Sequence, residues 1–338
     1  MRRATRFVVG SALGAGALVG YLAVVGVDGV LRRTAEVAPW VVGVALLLVV
    51  AEGLSDALGV WASVNPLGRG LSAGQSVQFA MAGDFFDTLG PAGPVSSEPI
   101  MARFIGVTTA TSYTEALAVR GVAKYVKSGA QLLVSTVAAA VVLLGGPSPA
   151  FLVGTLGGAV LVLLVGGVAV VRARSAVTPL VVAALTPLVS RASGLLLAER
   201  RGRADVAAAV DRFWVRVLLF RSRPGLLGLI ALGGVLEQVL TAAALWTALA
   251  GTGTPVVLLA VVAVVPLPQA ASVVPVPASL GAYDVLLAGA LVLSTAAPLA
   301  AATAAVLVVR TLSVPFGLVA GGVAVAFLRG WRPRSGAP

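Results

Sequence analysis

Apolar residues in this chain come in long unbroken runs, not in the alternation that marks half-exposed strands or amphipathic helices. Runs long enough to cross a bilayer, about 20 residues at the helical rise, lie at 7–27, 38–60, 128–146, 149–171, 225–250 and 298–328. Each predicts a transmembrane helix. The first follows Met1-Arg2-Arg3 but lacks a small-residue cleavage site, so it reads as a retained span and not as a signal peptide.

Two further stretches, 76–108 and 256–296, are apolar at both ends and broken in the middle, by LGPAGPVSSEP and VVPVPASLGAYD respectively. Hydrocarbon offers no partner to the backbone groups that such breaks expose, so they must be buried in protein or line a wet cavity. They are expected to form re-entrant hairpins, with half-helices beginning near Ser96 and Ala282. Small-residue pairs at Gly10/Gly14, Gly154/Gly158 and Gly317/Gly321 offer close helix approach.

A different period appears between the fourth and fifth runs. Val206, Val210, Phe213, Trp214 and Val217 recur at helical spacing with Arg212 and Arg216 on another face. This predicts either an interfacial helix on the inner leaflet or a linker helix packed on the bundle.

Composition agrees with membrane residence: 59% of residues are hydrophobic and 11% charged, with a mean hydropathy of +1.03. The net charge of +11 does not point to nucleic acid, because ten of the 24 basic residues fall between Arg172 and Arg223 and others cluster at the ends. Such clustering follows the positive-inside bias and places both termini and the 172–223 segment in the cytoplasm. The chain has neither cysteine nor histidine, which excludes disulfides, thiol nucleophiles, Cys/His metal sites and histidine-based triads. No cofactor and no catalytic or metal-binding residue is assigned.

An offset of 186 residues pairs Pro91 with Pro277, Glu98 with Asp284, Ala116 with Ala302 and Lys124 with Arg310, and sets Glu52 opposite Gln238. The charge-derived topology would run the two copies in opposite directions. The expected architecture is therefore all-α: one integral membrane domain over 1–338, with about six full spans, two broken hairpins, and inverted repeat halves 1–172 and 187–330.

A charge at the bilayer centre costs at least about 2.5 to 3.5 kcal/mol, so each ionisable residue at that depth needs a partner, water or a ligand. Lys124 and Arg310, with Arg103 and Arg120, are candidate phosphate ligands; Glu98 and Asp284 would orient them or exchange a proton. Half-helix N-termini at Ser96, Ser97 and Ala282 would add free amides. The alternative is that each acid merely neutralises a base. Asp84 and Asp87, three residues apart, and Glu237 are supporting candidates, and Glu52 and Asp56 share a helix face. Tyr113, Tyr125 and Tyr283 read as anchors or packing groups and not as ligands.

The stretch GPAGPVSSEPIMARF with Glu98, the following SYTEALAVRGVAKY, and PVPASLGAYDVLL leading to AAATAAVLVVRTL resemble the lysylphosphatidylglycerol synthase transmembrane region, or flippase-like, family. The resemblance implies a role in moving modified lipids between leaflets. Full-length lysyl-lipid synthases add a soluble transferase domain, for which the ten residues after Leu328 leave no room, so lysyl transfer is not expected. The expected function is translocation of an anionic phospholipid or polyprenyl-phosphate-linked sugar in the cell membrane. The alternatives are a membrane-embedded glycosyl or lipid transferase, or an accessory subunit beside a partner enzyme of a lipid or glycan pathway.

Overall fold

The computed structural model describes residues 37–89, 94–144, 150–196, 202–268 and 282–329. Among these residues the chain is helical, with no strand. In chain order the α-helices are α1 (Pro39–Val64), α2 (Ala73–Leu89), α3 (Pro94–Thr109), α4 (Tyr113–Leu144), α5 (Ala150–Arg172), α6 (Arg174–Leu196), α7 (Arg203–Leu219), α8 (Pro224–Gly251), α9 (Leu258–Val264), α10 (Ala282–Thr295) and α11 (Leu299–Ala326).

Five of the described helices, α1, α4, α5, α8 and α11, are long and apolar enough to cross a membrane. The predicted span 7–27, with Gly10 and Gly14, lies outside the described residues. The span predicted at 128–146 needs correction, because α4 begins at Tyr113. Two features carry it that far. Ser112 and Glu115 close a capping box, with Ser112 N–H donating to Glu115 Oε2 at 3.0 Å and Glu115 N–H donating to Ser112 Oγ at 3.3 Å. The cations that follow are compensated by carboxylates of other helices, so the helix runs through them.

The two broken stretches become helix pairs: α2 packs on α3, and α9 on α10. Their breaks, 90–93 and 269–281, lie outside the described residues. Helix α3 already starts at Pro94, whereas α10 starts at Ala282.

The most extensive interface joins α1 to α8. Its geometry is antiparallel: Gly251 lies against Val41 and Val37, while Gly233 lies against Gly59 and Ser55. A β-carbon on Gly233 would stand 3.0 Å from the Gly59 nitrogen, so the glycines permit the close approach. Gly321 does the same for α11 against α2, where a β-carbon would meet Met81 O at 2.4 Å. The other predicted pair does not bring helices together, since a β-carbon on Gly154 or Gly158 would meet nothing within 4 Å.

Several details recur at the 186-residue offset. Ala110 and Ala296 have left-handed φ values of 59° and 55°, each just past a helix C-terminus. Thr109 Oγ1 donates to Ile105 O at 2.8 Å, and Thr295 Oγ1 donates to Leu291 O at 2.6 Å. Ala116 and Ala302 are both fully buried. Helix contacts recur as well: α2 packs on α11 and α9 on α4, while α3 packs on α4 and α10 on α11.

Helix α7 packs against both α4 and α6. Val206 and Val210 join Val182 in a small apolar cluster, and Arg216 Nη2 lies 2.6 Å from Glu115 Oε1. These contacts dock the helix on its neighbours α4 and α6.

Candidate functional site: a charged stripe along one membrane helix

Arg120, Lys124, Lys127, Gln131 and Ser135 follow one another on α4 at steps of four, three, four and four residues, which aligns them on one face. All three cations meet carboxylates. Arg120 donates twice to Glu98, from Nε to Oε2 at 2.7 Å and from Nη2 to Oε1 at 2.8 Å. Lys124 Nζ lies between Asp87 Oδ2 at 3.2 Å and Glu98 Oε1 at 3.4 Å. Lys127 Nζ bridges Asp56 Oδ1 at 2.8 Å and Glu237 Oε2.

The carboxylates come from four helices: Asp56 from α1, Asp87 from α2, Glu98 from α3 and Glu237 from α8. Buried Ser97 holds Asp87 by donating to its Oδ1. The stripe continues in neutral form, with Gln131 Nε2 donating to Gly234 O at 3.0 Å and Ser135 Oγ to Val262 O at 3.1 Å. Removing charges from water costs several kcal/mol per ion, so a network at this depth persists only when each group is answered.

A second cluster stands on α10 and α11. Arg310 Nε donates to Asp284 Oδ1 at 2.9 Å, and the guanidinium lies 4.7 Å from the centre of the Tyr283 ring, a cation–π contact. Between this cluster and the Lys127 bridge lies a cavity of about 180 Å³. Glu52, Gln131, Glu237, Gln238, Thr241, Tyr283, Arg310 and Ser313 form its polar lining, and Val49, Leu245, Val265, Leu287, Val306 and Val309 its apolar lining.

The predicted residues thus divide. Glu98, Arg120, Lys124, Asp87 and Ser97 assemble at α2–α3–α4, whereas Arg310 and Glu237 line the cavity, and Asp284 pairs with Arg310 on the cavity wall. Glu98 and Lys124 do not line this cavity. Arg103 does not join the site: it is exposed and has no ion-pair partner among the described residues. Asp84 faces α1 and α11, near Gly53 and Gly317, and makes no ion pair with a described residue. Ser96 falls in the first turn of α3, with its side chain outside the described set. Tyr283, read as a packing group, lines the cavity and carries Arg310.

Sequence reasoning left out Lys127 as a hub, and with it Gln131 and Ser135. The helical stripe from Arg120 onward would have exposed them. A hydropathy window hides such a stripe, because it averages over all faces of the helix.

A helical bundle that buries a chain of compensated charges along a membrane-crossing helix defines a polytopic integral membrane protein built around a polar interior. The chain belongs to the family described as lysylphosphatidylglycerol synthase TM region, whose model matches residues 7–331. Membership points to a lipid-related function. No curated protein and no solved structure matches the chain.

Proposed function

We propose that the protein is a lipid translocase that moves an anionic phospholipid or a polyprenyl-phosphate-linked sugar between leaflets. The observation that carries this reading is the set of three cations on one face of α4, met by carboxylates from four other helices. Such residues inside a membrane protein mark substrate and ion pathways more often than they serve stability, to which buried pairs contribute little.

Within the network Lys124 is the phosphate ligand. Its side chain is 30% exposed, more than Arg120 at 7% or Lys127 at 18%, and its carboxylate contacts at 3.2 and 3.4 Å are long for charge-assisted hydrogen bonds. A phosphate oxygen can therefore displace Asp87 or Glu98 from Lys124 at less cost than it could break the two-pronged Arg120–Glu98 pair. During the exchange Glu98 stays bound to Arg120, and Asp87 keeps the hydrogen bond from Ser97.

Alternating access follows from two units, α1–α4 and α8–α11, running in opposite senses about the antiparallel α1/α8 contact. The recurrences at 186 residues and the antiparallel crossing support that arrangement. The broken stretches serve as re-entrant hairpins, one in each unit, with both chain termini cytoplasmic.

The test is transfer of short-chain fluorescent lipids in proteoliposomes, followed by membrane-impermeant quenching. Wild-type protein should make inner-leaflet label accessible, and Lys124→Gln should abolish this while remaining folded. Equal transfer by the variant overturns the assignment of Lys124. A new covalent lipid product formed in detergent, with no leaflet to cross, identifies a transferase instead.

A further inference from the structure

The cavity at the α1/α8 crossing holds a carboxylate that the ion-pair network does not answer. Lys127 is already shared by Asp56 and Glu237, and Arg310 is engaged by Asp284. Glu52 lines the cavity and has no cation within ion-pair distance among the described residues. The charged groups that act on it are Asp56 of its own helix, Asp84 of α2, Lys127 of α4 and Glu237 of α8, with Arg310 of α11 on the cavity wall. Three carboxylates thus stand around Glu52 against two cations, Lys127 and Arg310, and both cations are already paired with other acids.

A second observation is independent of the acids. Gln238 is 1% exposed and lines the same cavity. Its Nε2 donates to Ser135 Oγ at 2.7 Å and to Val262 O at 2.9 Å. A backbone carbonyl can only accept, so Val262 fixes which end of the amide is nitrogen. The other end, Oε1, has no donor. Leaving a buried carbonyl unanswered costs about 1 to 3 kcal/mol.

The antiparallel register brings these two features together. Gly233 against Ser55 and Gly59, and Gly251 against Val37 and Val41, set Glu52 level with Glu237 and Gln238. The 186-residue offset also carries Glu52 onto Gln238, so the acid and the amide occupy equivalent places on either side of the crossing.

We propose that this cavity binds one monovalent cation, a proton or an alkali ion, on Glu52, with Gln238 Oε1 as the neutral co-ligand. A proton on Glu52 turns the carboxyl into a donor for that lone oxygen. An alkali ion answers the same oxygens by coordination, with the hydroxyls of Thr241, Tyr283 and Ser313 on the same lining. A divalent ion fits less well: among the described residues no three carboxylates converge as a metal cage, and Arg310 on the wall opposes a second positive charge. The site stands without the translocase reading; if both hold, the ion is the one coupled to transport.

The experiment uses the full chain in detergent, where no lipid has to cross a leaflet, so it can fail or succeed independently of translocation. Thermal unfolding is followed as sodium replaces choline at constant ionic strength, and infrared spectra are recorded at neutral pH. An alkali ion raises the unfolding midpoint with sodium in wild type but not in Glu52→Gln. A proton instead gives a carboxylic-acid C=O band in wild type that Glu52→Gln removes. Should that variant fold poorly, Gln238→Leu leaves every charge in place; it is expected to weaken sodium affinity by roughly tenfold, or to shift the C=O band to higher frequency. The proposal is overturned if wild type shows neither signal, or if the signals are unchanged by both substitutions.

Discussion

Glu98 and Arg120 face each other through two parallel hydrogen bonds of 2.7 and 2.8 Å, with side chains 14% and 7% exposed. This is the most enclosed ion pair of the α4 stripe, and it links the helix after the first break to the long membrane helix that follows. Breaking one partner leaves a buried charge unanswered, which typically costs about 3 to 5 kcal/mol, whereas replacing both by apolar groups is often neutral. Glu98→Leu should therefore lower the unfolding midpoint in detergent far more than the double variant Glu98→Leu/Arg120→Met. Equal losses would mean that the pair does not act as a unit.

Lys127 answers two carboxylates and Lys124 has looser contacts with its own two. Thermal unfolding should accordingly separate Lys127→Met from Lys124→Met, with the larger fall for Lys127. Adding Asp56→Asn to Lys127→Met should recover part of that fall, because one of the two stranded acids is then neutral.

Close approach rests on particular glycines. Gly321→Ala would force a β-carbon to 2.4 Å from Met81 O, an overpacking expected to cost about 1 to 3 kcal/mol. Gly154→Ala meets nothing within 4 Å and should leave the melting curve unchanged. Side-by-side unfolding of the two variants measures the difference.

Because the chain has no cysteine, engineered pairs report without background. Val41→Cys with Gly251→Cys should form a disulfide under mild oxidation, since the two positions are in contact, while Val41→Cys with Ile230→Cys should not. The opposite result would reverse the direction of α8 relative to α1.

Long apolar runs made α1, α5, α8 and α11 legible, because a helix buried in lipid needs little else. The N-terminal half of α4 was not, since Arg120, Lys124 and Lys127 depress its hydropathy and the groups that neutralise them lie far away in sequence; Asp56 precedes Lys127 by 71 residues. The pairing of Lys124 with Arg310 and of Glu98 with Asp284 came from an alignment of the chain with itself. Such an alignment identifies equivalent positions and does not say which of them meet. Gly59 and Gly233 form the close crossing, yet nothing local distinguishes them from Gly154 and Gly158, whose surroundings are open. The capping box at Ser112 and Glu115 was readable in SYTE and would have moved the start of α4 to its observed place.

Helix α4 has the layout of a camshaft: Arg120, Lys124 and Lys127 project from one helix at successive turns and meet carboxylates of four other helices. A roll of α4 about its long axis would shift the grip on Asp56, Asp87, Glu98 and Glu237 together, with no relay of side chains between Lys124 and Lys127.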